Sequence, residues 1–172
     1  MTSELRVDKI VPTTGVPTGG GGGIVQMQVA RKYDEIADST STSFMASGLI
    51  CSLTPRFSDS KFHIHMGGGR LKARAGSGVE VKMYVSINGG SYAACYSGNR
   101  GSQFYYSSSS TELQMPVSFV DLFTPSSAIT STIAFQPYWK VFGSPSSSGN
   151  SFHESDSACY GEVVMTVMEV SA

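Results

Sequence analysis

From residue 24 onward, apolar side chains recur at every second position, the period of a strand with one buried face. Val25, Met27 and Val29 alternate with Gln26 and Gln28, the pattern of a half-buried strand. In residues 61–66, Phe62, Ile64 and Met66 share one side, and Val79, Val81, Met83, Val85 and Ile87 extend the pattern further along. That last stretch enters Asn88-Gly89-Gly90 and leaves through residues 91–96. Asn-Gly tolerates the positive φ of a two-residue turn, so a hairpin is predicted there. Residues 117–123, 130–141 and 161–170 supply three later strands, with shorter segments around Phe44, at 50–53 and at 104–106. No window of about 12 residues combines helical periodicity with caps. Ser58-Asp59-Ser60 and residues 107–110 and 144–150 read as loops. Roughly eight or nine strands, with turns every 8 to 15 residues or so, predict an all-β fold: an antiparallel two-sheet sandwich of jelly-roll type over residues 24–172. Pro137 has no N–H to donate, which predicts an edge position or a bulge for its strand.

Residues 1–23 follow a different rule. Leu5, Val7, Ile10 and Val11 suggest a short extended segment, followed by proline turns at Pro12 and Pro17. Then come Gly19, Gly20, Gly21, Gly22 and Gly23 without interruption, an expected hinge because glycine is the most conformationally free residue. Fully extended, such an arm reaches about 75 Å at about 3.3 Å per residue. It is too sparsely apolar to form a core, so it is read as an anchor that a partner protein holds.

Composition sharpens this picture. The chain has 172 residues, enough for one domain to fold without staples. Twenty-nine serines and 19 glycines outweigh a charged fraction of 15%, so the surface is solvated by hydroxyls and backbone, as suits a turn-rich β protein. The net charge is -1 and no basic run exists, which argues against nucleic acid as a partner. No stretch approaches the roughly 20 apolar residues that span a bilayer, and residues 1–11 lack the apolar core of a signal peptide, so membrane insertion is not expected. Cys51, Cys95 and Cys159 are odd in number and far apart, the mark of free thiols in a reducing compartment.

Two local patterns carry a resemblance. One is the arm SELRVDKIVPTTGVPTGGGGGIVQ, and the other is the body order S-L-T-P, S-D-S-K-F-H-I-H and P-V-S-F-V-D, closed by G-E-V-V-M-T-V-M-E-V. Together they resemble the short tail-fibre and virion structural proteins of marine and cyanobacterial tailed phages. The resemblance implies a bacteriophage virion component, folded and assembled in the host cytoplasm. It implies a homotrimer whose arm is held by another virion protein, with a host-surface glycan or receptor as the outer contact. The short length leaves no room for a shaft and favours a fibre tip, adaptor or capsid knob over a long fibre.

Candidate chemistry is sparse. His63 and His65 lie two apart and share a strand face, opposite Phe62, Ile64 and Met66, so they face solvent or a subunit interface. Two imidazoles do not complete a metal site, and further ligands would have to come from other copies; no metal or cofactor is assigned. His153, Glu154, Ser155 and Asp156 gather catalytic residue types in a loop, yet nothing like G-x-S-x-G accompanies them. Asp34, Glu35, Asp121 and Glu154 are carboxylates without an expected cleft between them. Neither the pentaglycine nor residues 67–69 precede a Lys-Ser/Thr and a helix, so phosphate cradles are excluded. Tyr92, Tyr96, Tyr105, Tyr106, Tyr138 and Trp139 read either as core and interface residues or as a ligand surface; Tyr105 and Tyr106 are the candidate receptor contacts. The expectation is therefore a non-enzymatic virion protein, a short tail fibre or fibre tip contacting the host through the loops at 98–101, 107–110 and 144–150. The alternatives are a capsid decoration protein that stabilises the shell and a lectin-like glycan-binding module.

Overall fold

The computed structural model describes residues 23–33, 39–97, 101–106, 112–143, 150–152 and 162–170. Among them are ten strands and no helix: β1 (Ile24–Lys32), β2 (Met45–Ala46), β3 (Cys51–Leu53), β4 (Lys61–Arg74), β5 (Ser77–Ile87), β6 (Ala93–Ala94), β7 (Ser102–Tyr106), β8 (Glu112–Phe123), β9 (Ile133–Gly143) and β10 (Val163–Val170). One sheet runs β1-β10-β4-β8; the other runs β2-β9-β5-β6, with β3 also on β9 and β7 also on β5. Every pairing is antiparallel. β2 and β3 act as one interrupted strand beside β9, and β6 and β7 as another beside β5. The ten segments thus reduce to the eight positions of a jelly roll, four per sheet.

The core fills the space between the two sheets. Phe62, Ile64 and Met66 of β4 and Val163, Met165 and Val167 of β10 are fully buried, facing Val79 and Val81 of β5 and Ile133, Phe135 and Val141 of β9. Phe135 joins the layers, with ring centroids 5.7 Å from Phe62 and 5.6 Å from Phe123. Each such side chain contributes about 1.5–3 kcal/mol by leaving water. Residues 150–152 plug the end where β4 turns into β5. Ser151 exchanges two backbone hydrogen bonds with Lys72, Asn150 Oδ1 accepts from Arg74 N and Ser77 Oγ, and Phe152 is fully buried.

Local chemistry explains the turns and the bulge. Asn88 and Gly89 have φ of 55° and 73°, and Gly90 N donates to Ile87 O, which is the Asn-Gly turn expected from the sequence. In β4 the register against β8 shifts between Gly68 and Leu71, so the inward positions change from 62, 64 and 66 to 71 and 73. Gly68 sits at φ 82°, and a Cβ there would lie 2.3 Å from the Glu162 carbonyl oxygen. Only glycine fits.

Three expectations change. The hairpin's return arm is not continuous over 91–96: only Ala93–Ala94 pairs with β5, and residues 102–106 resume the pairing further along. Pro137 does not lie on an edge strand, because β9 is flanked by β5 on one side and by β2 and β3 on the other. Its oxygen accepts from Ser47 N on the β2 side, so its missing donor faces the break between β2 and β3, where no ladder bond is lost. Most consequential is β1. Gln26 and Ala30 turn toward the interior, while Met27 and Val29 point outward, 56% and 43% exposed.

Candidate functional site

Directly opposed residues of an antiparallel pair share a face, so the registers define what each sheet presents to the outside. On the four-stranded sheet, one outward row reads Met27, Met168, His63, Leu122, and the next reads Val29, Thr166, His65, Val120. Val120 and Leu122 are 57% and 48% exposed. Ile24 and Val170 continue the apolar stripe at one end beside Lys61. At the other end Val164 stands beside Arg31, whose guanidinium is bridged to Glu162 at 2.9 Å. Charge is thus confined to the rims. His63 and His65 occupy the middle, on the face that their spacing required. Among the described residues, no group of three or more His, Cys, Asp or Glu side chains could hold a metal ion.

The outer face of the other sheet is different in kind. Tyr138 stacks on Tyr84 with centroids 4.1 Å apart, and Tyr92 lies 6.0 Å from Tyr138. Phe44, just ahead of β2, leans over the sheet, 5.9 Å from Tyr84 and with Lys140 Nζ and Lys82 Nζ at 4.8 and 5.1 Å from its centroid. Both ammonium groups also bridge Glu80, each at 3.1 Å. Burial pushes the Glu80 carboxyl up, but hydrogen bonds and charge from Lys140 and Lys82 outweigh it and hold the group below its ordinary value. Burial raises the Tyr84 and Tyr92 hydroxyls above their ordinary values. Further along the same face, Tyr105 stacks on Phe142 at 5.9 Å.

The remaining candidates separate by strand parity. Tyr105 is 52% exposed on that outer face, whereas its neighbour Tyr106 packs against the core. Trp139 is a core residue and Tyr96 packs against the core. The Cys51 and Cys95 thiols are free; burial pushes them up to about 11 and about 12, with Asp121 adding to the second. Asp121 itself bonds the backbone N–H of Leu122. A shallow cleft of about 290 Å³ is lined by Ser58, Asp59, Pro125, Ser126, Ser127 and Ala128, a lining with one carboxylate and no imidazole or thiol. Leu5, Val7, Ile10, Val11, the first four hinge glycines, Asp34, Glu35, the residues 153–156 and Cys159 lie outside the described residues, as do most of the three loops expected to face the host.

Two features escaped the sequence reading. Phe44 and Tyr84 join the aromatic face only through the register of three strands. Glu169, fully buried, is the other. It continues the inward series Val163, Met165, Val167, so a carboxylate at the next inward position was its only signal.

No protein-family model matches the chain, and no curated protein matches it. Among solved structures, a chain of infectious bursal disease virus Gx strain aligns over 94% of this chain and 42% of its own length, at 12% identity and a TM-score of 0.40. The Gt strain of the same virus aligns over 93% of this chain and 44% of its own, at 15% identity and a TM-score of 0.34. A CBM4 structure aligns over 83% of this chain and 92% of its own, at 15% identity and a TM-score of 0.29. The chain therefore spans less than half the length of the viral chains.

Proposed function

We propose that this protein is a non-enzymatic structural component of a tailed-phage virion, a short tail-fibre or fibre-tip unit. Identical copies associate as a homotrimer through the outer face of the β1-β10-β4-β8 sheet, and residues 1–23 attach the unit to a larger assembly. The apolar side chains that this face exposes, Met27, Val29, Val120 and Leu122 on either side of His63 and His65, carry the reading. An outward strand face on a monomer normally alternates to polar residues, whereas here β1 exposes Met27 and Val29 and β8 exposes Val120 and Leu122. Four strands spaced about 4.8 Å apart, over about eight residues at 3.4 Å each, give a face of roughly 500 Å². Only part of that face is apolar, Met27, Val29, Met168, Val120 and Leu122 around His63, His65 and Thr166, and exposed apolar side chains grouped in this way are a common feature of interaction sites. With charge only at its rims, the face does not repel its own copy.

Two tests follow. The double variant Val120→Lys, Leu122→Lys is expected to convert the assembly to monomer in light scattering, because six lysines would meet around the axis. Its melting temperature as a monomer should stay near that of the domain, since both side chains point away from the core. An unchanged oligomer would overturn this face as the interface. Deleting residues 1–23 is expected to leave a folded sandwich, whose first strand starts at Ile24, that no longer joins particles. Normal incorporation of the truncated protein would remove the anchor from the proposal. Gold label on intact particles decides the site, and label confined to the capsid would replace the tail fibre by a head decoration.

A further inference from the structure

We infer that the outer face of the second sheet is a binding site for a linear glycan, which lies along β9. Strand β9 presents Tyr138, Lys140 and Phe142 to the outside in sequence, facing Lys82, Glu80 and Gly78 of β5. This produces two aromatic stations on one strand face. The first is Tyr138 with Tyr84 and Tyr92, and the second is Phe142 with Tyr105. Four residues of strand separate them, about 13 Å. The Lys82–Glu80–Lys140 cluster fills the interval, and Phe44 overhangs it.

That alternation matches the chemistry of a pyranose chain. Each ring offers a C–H face that packs on an aromatic plane and a rim of hydroxyls that need donors and acceptors. The aromatic rings supply the first contact. The tyrosine hydroxyls and Lys140, the most exposed member of the ion-pair cluster, supply the second, and few convergent polar groups among aromatics are what fixes a small polar ligand. Two stations so far apart engage neighbouring units of a chain rather than a single sugar. A protein partner fits less well, because the centre of a protein interface is depleted in charge and here the centre is a charged triad. The site lies on the opposite side of the sandwich from the apolar face, so it stands whether or not that face is the assembly interface.

The test is isothermal titration of the full-length protein with cellohexaose, chitohexaose and mannohexaose as neutral probes and an alginate hexamer as the acidic one. At least one is expected to bind, and the neutral and acidic arms identify the class of repeat. Tyr138→Ala and Tyr105→Ala should each weaken that probe about tenfold per site, the scale of one lost aromatic contact. Tyr105 is already half exposed, so its variant keeps the test valid if Tyr138→Ala fails to fold. Val120→Lys, Leu122→Lys should leave the per-site affinity unchanged even where it abolishes the oligomer. The inference is overturned if none of the four probes binds, or if the binding is indifferent to Tyr105→Ala. Binding that is lost in the lysine variant and kept in both tyrosine variants also overturns it, by moving the site to the other sheet.

Discussion

Val81→Asp is expected to unfold the sandwich outright. Val81 lies mid-strand in β5, 1% exposed, opposite Trp139 of β9 and facing the inner side of the other sheet. Its position offers a carboxylate no charged partner, because the neighbouring inward residues Val79 and Met83 are apolar and buried as well. An aspartate there either ionises in an apolar interior or takes up a proton, and both cost several kcal/mol beyond the lost packing. A domain of this size is stable by about 5–15 kcal/mol, so one such event consumes most of the margin. The expected result is loss of the cooperative thermal transition and of soluble yield. Met83→Asp should do the same. Val120→Asp, with equal chemistry on an outward position, should still fold as a monomer with a cooperative transition. Equal melting of Val81→Asp and Val120→Asp would show that the β5 face is not the core.

Glu169→Ala is expected to cost about 3–5 kcal/mol, the scale of removing one acceptor shared by four hydrogen-bond donors. Glu169 Oε1 accepts from Arg56 N at 2.8 Å, Phe57 N at 3.2 Å and Ser60 Oγ at 2.5 Å, and Oε2 accepts from Gln26 Nε2 at 2.5 Å. One carboxylate thus ties three places together: edge strand β1, the turn between β3 and β4, and its own strand β10. Gln26 Nε2 also reaches Thr54 O, which closes the link from β1 to that turn. Alanine would leave four donors at a part-buried site without their acceptor. At about 2–4 °C per kcal/mol for a chain of this length, the melting temperature should fall by about 6–20 °C. Glu169→Gln keeps an acceptor oxygen and should lose less. Urea denaturation gives both values, and a loss under about 1 kcal/mol for the alanine variant would show that the turn holds without the carboxylate.

Much of the fold was legible because its signals are local. Alternation in 79–87 followed by Asn88-Gly89 specifies a strand and its turn from fewer than a dozen residues. Spacing alone put His63 and His65 on one face, away from Phe62, Ile64 and Met66. The aromatic face of the second sheet was not legible in that way. Tyr84 and Tyr138 lie far apart in the chain and meet only through the pairing of Lys82 with Tyr138. Tyr105 and Tyr106 look equivalent in sequence, yet adjacent residues of a strand face opposite ways, so one is outside and the other packs on the core.

By itself, then, the sequence determined that this is an all-β chain, where most strands run, and which residues within a strand point the same way. A period of two says that two sides differ without saying which is inside. In β1 the side that faces inward is set by Glu169 and the turn it holds, which require Gln26 there and leave Met27 and Val29 outside. In β10 both sides are apolar, and only the stacking of the second sheet decides between them. Strand order and register come from contacts across most of the chain, and these decided that three strands would present their apolar sides to the outside together, forming the face proposed for assembly.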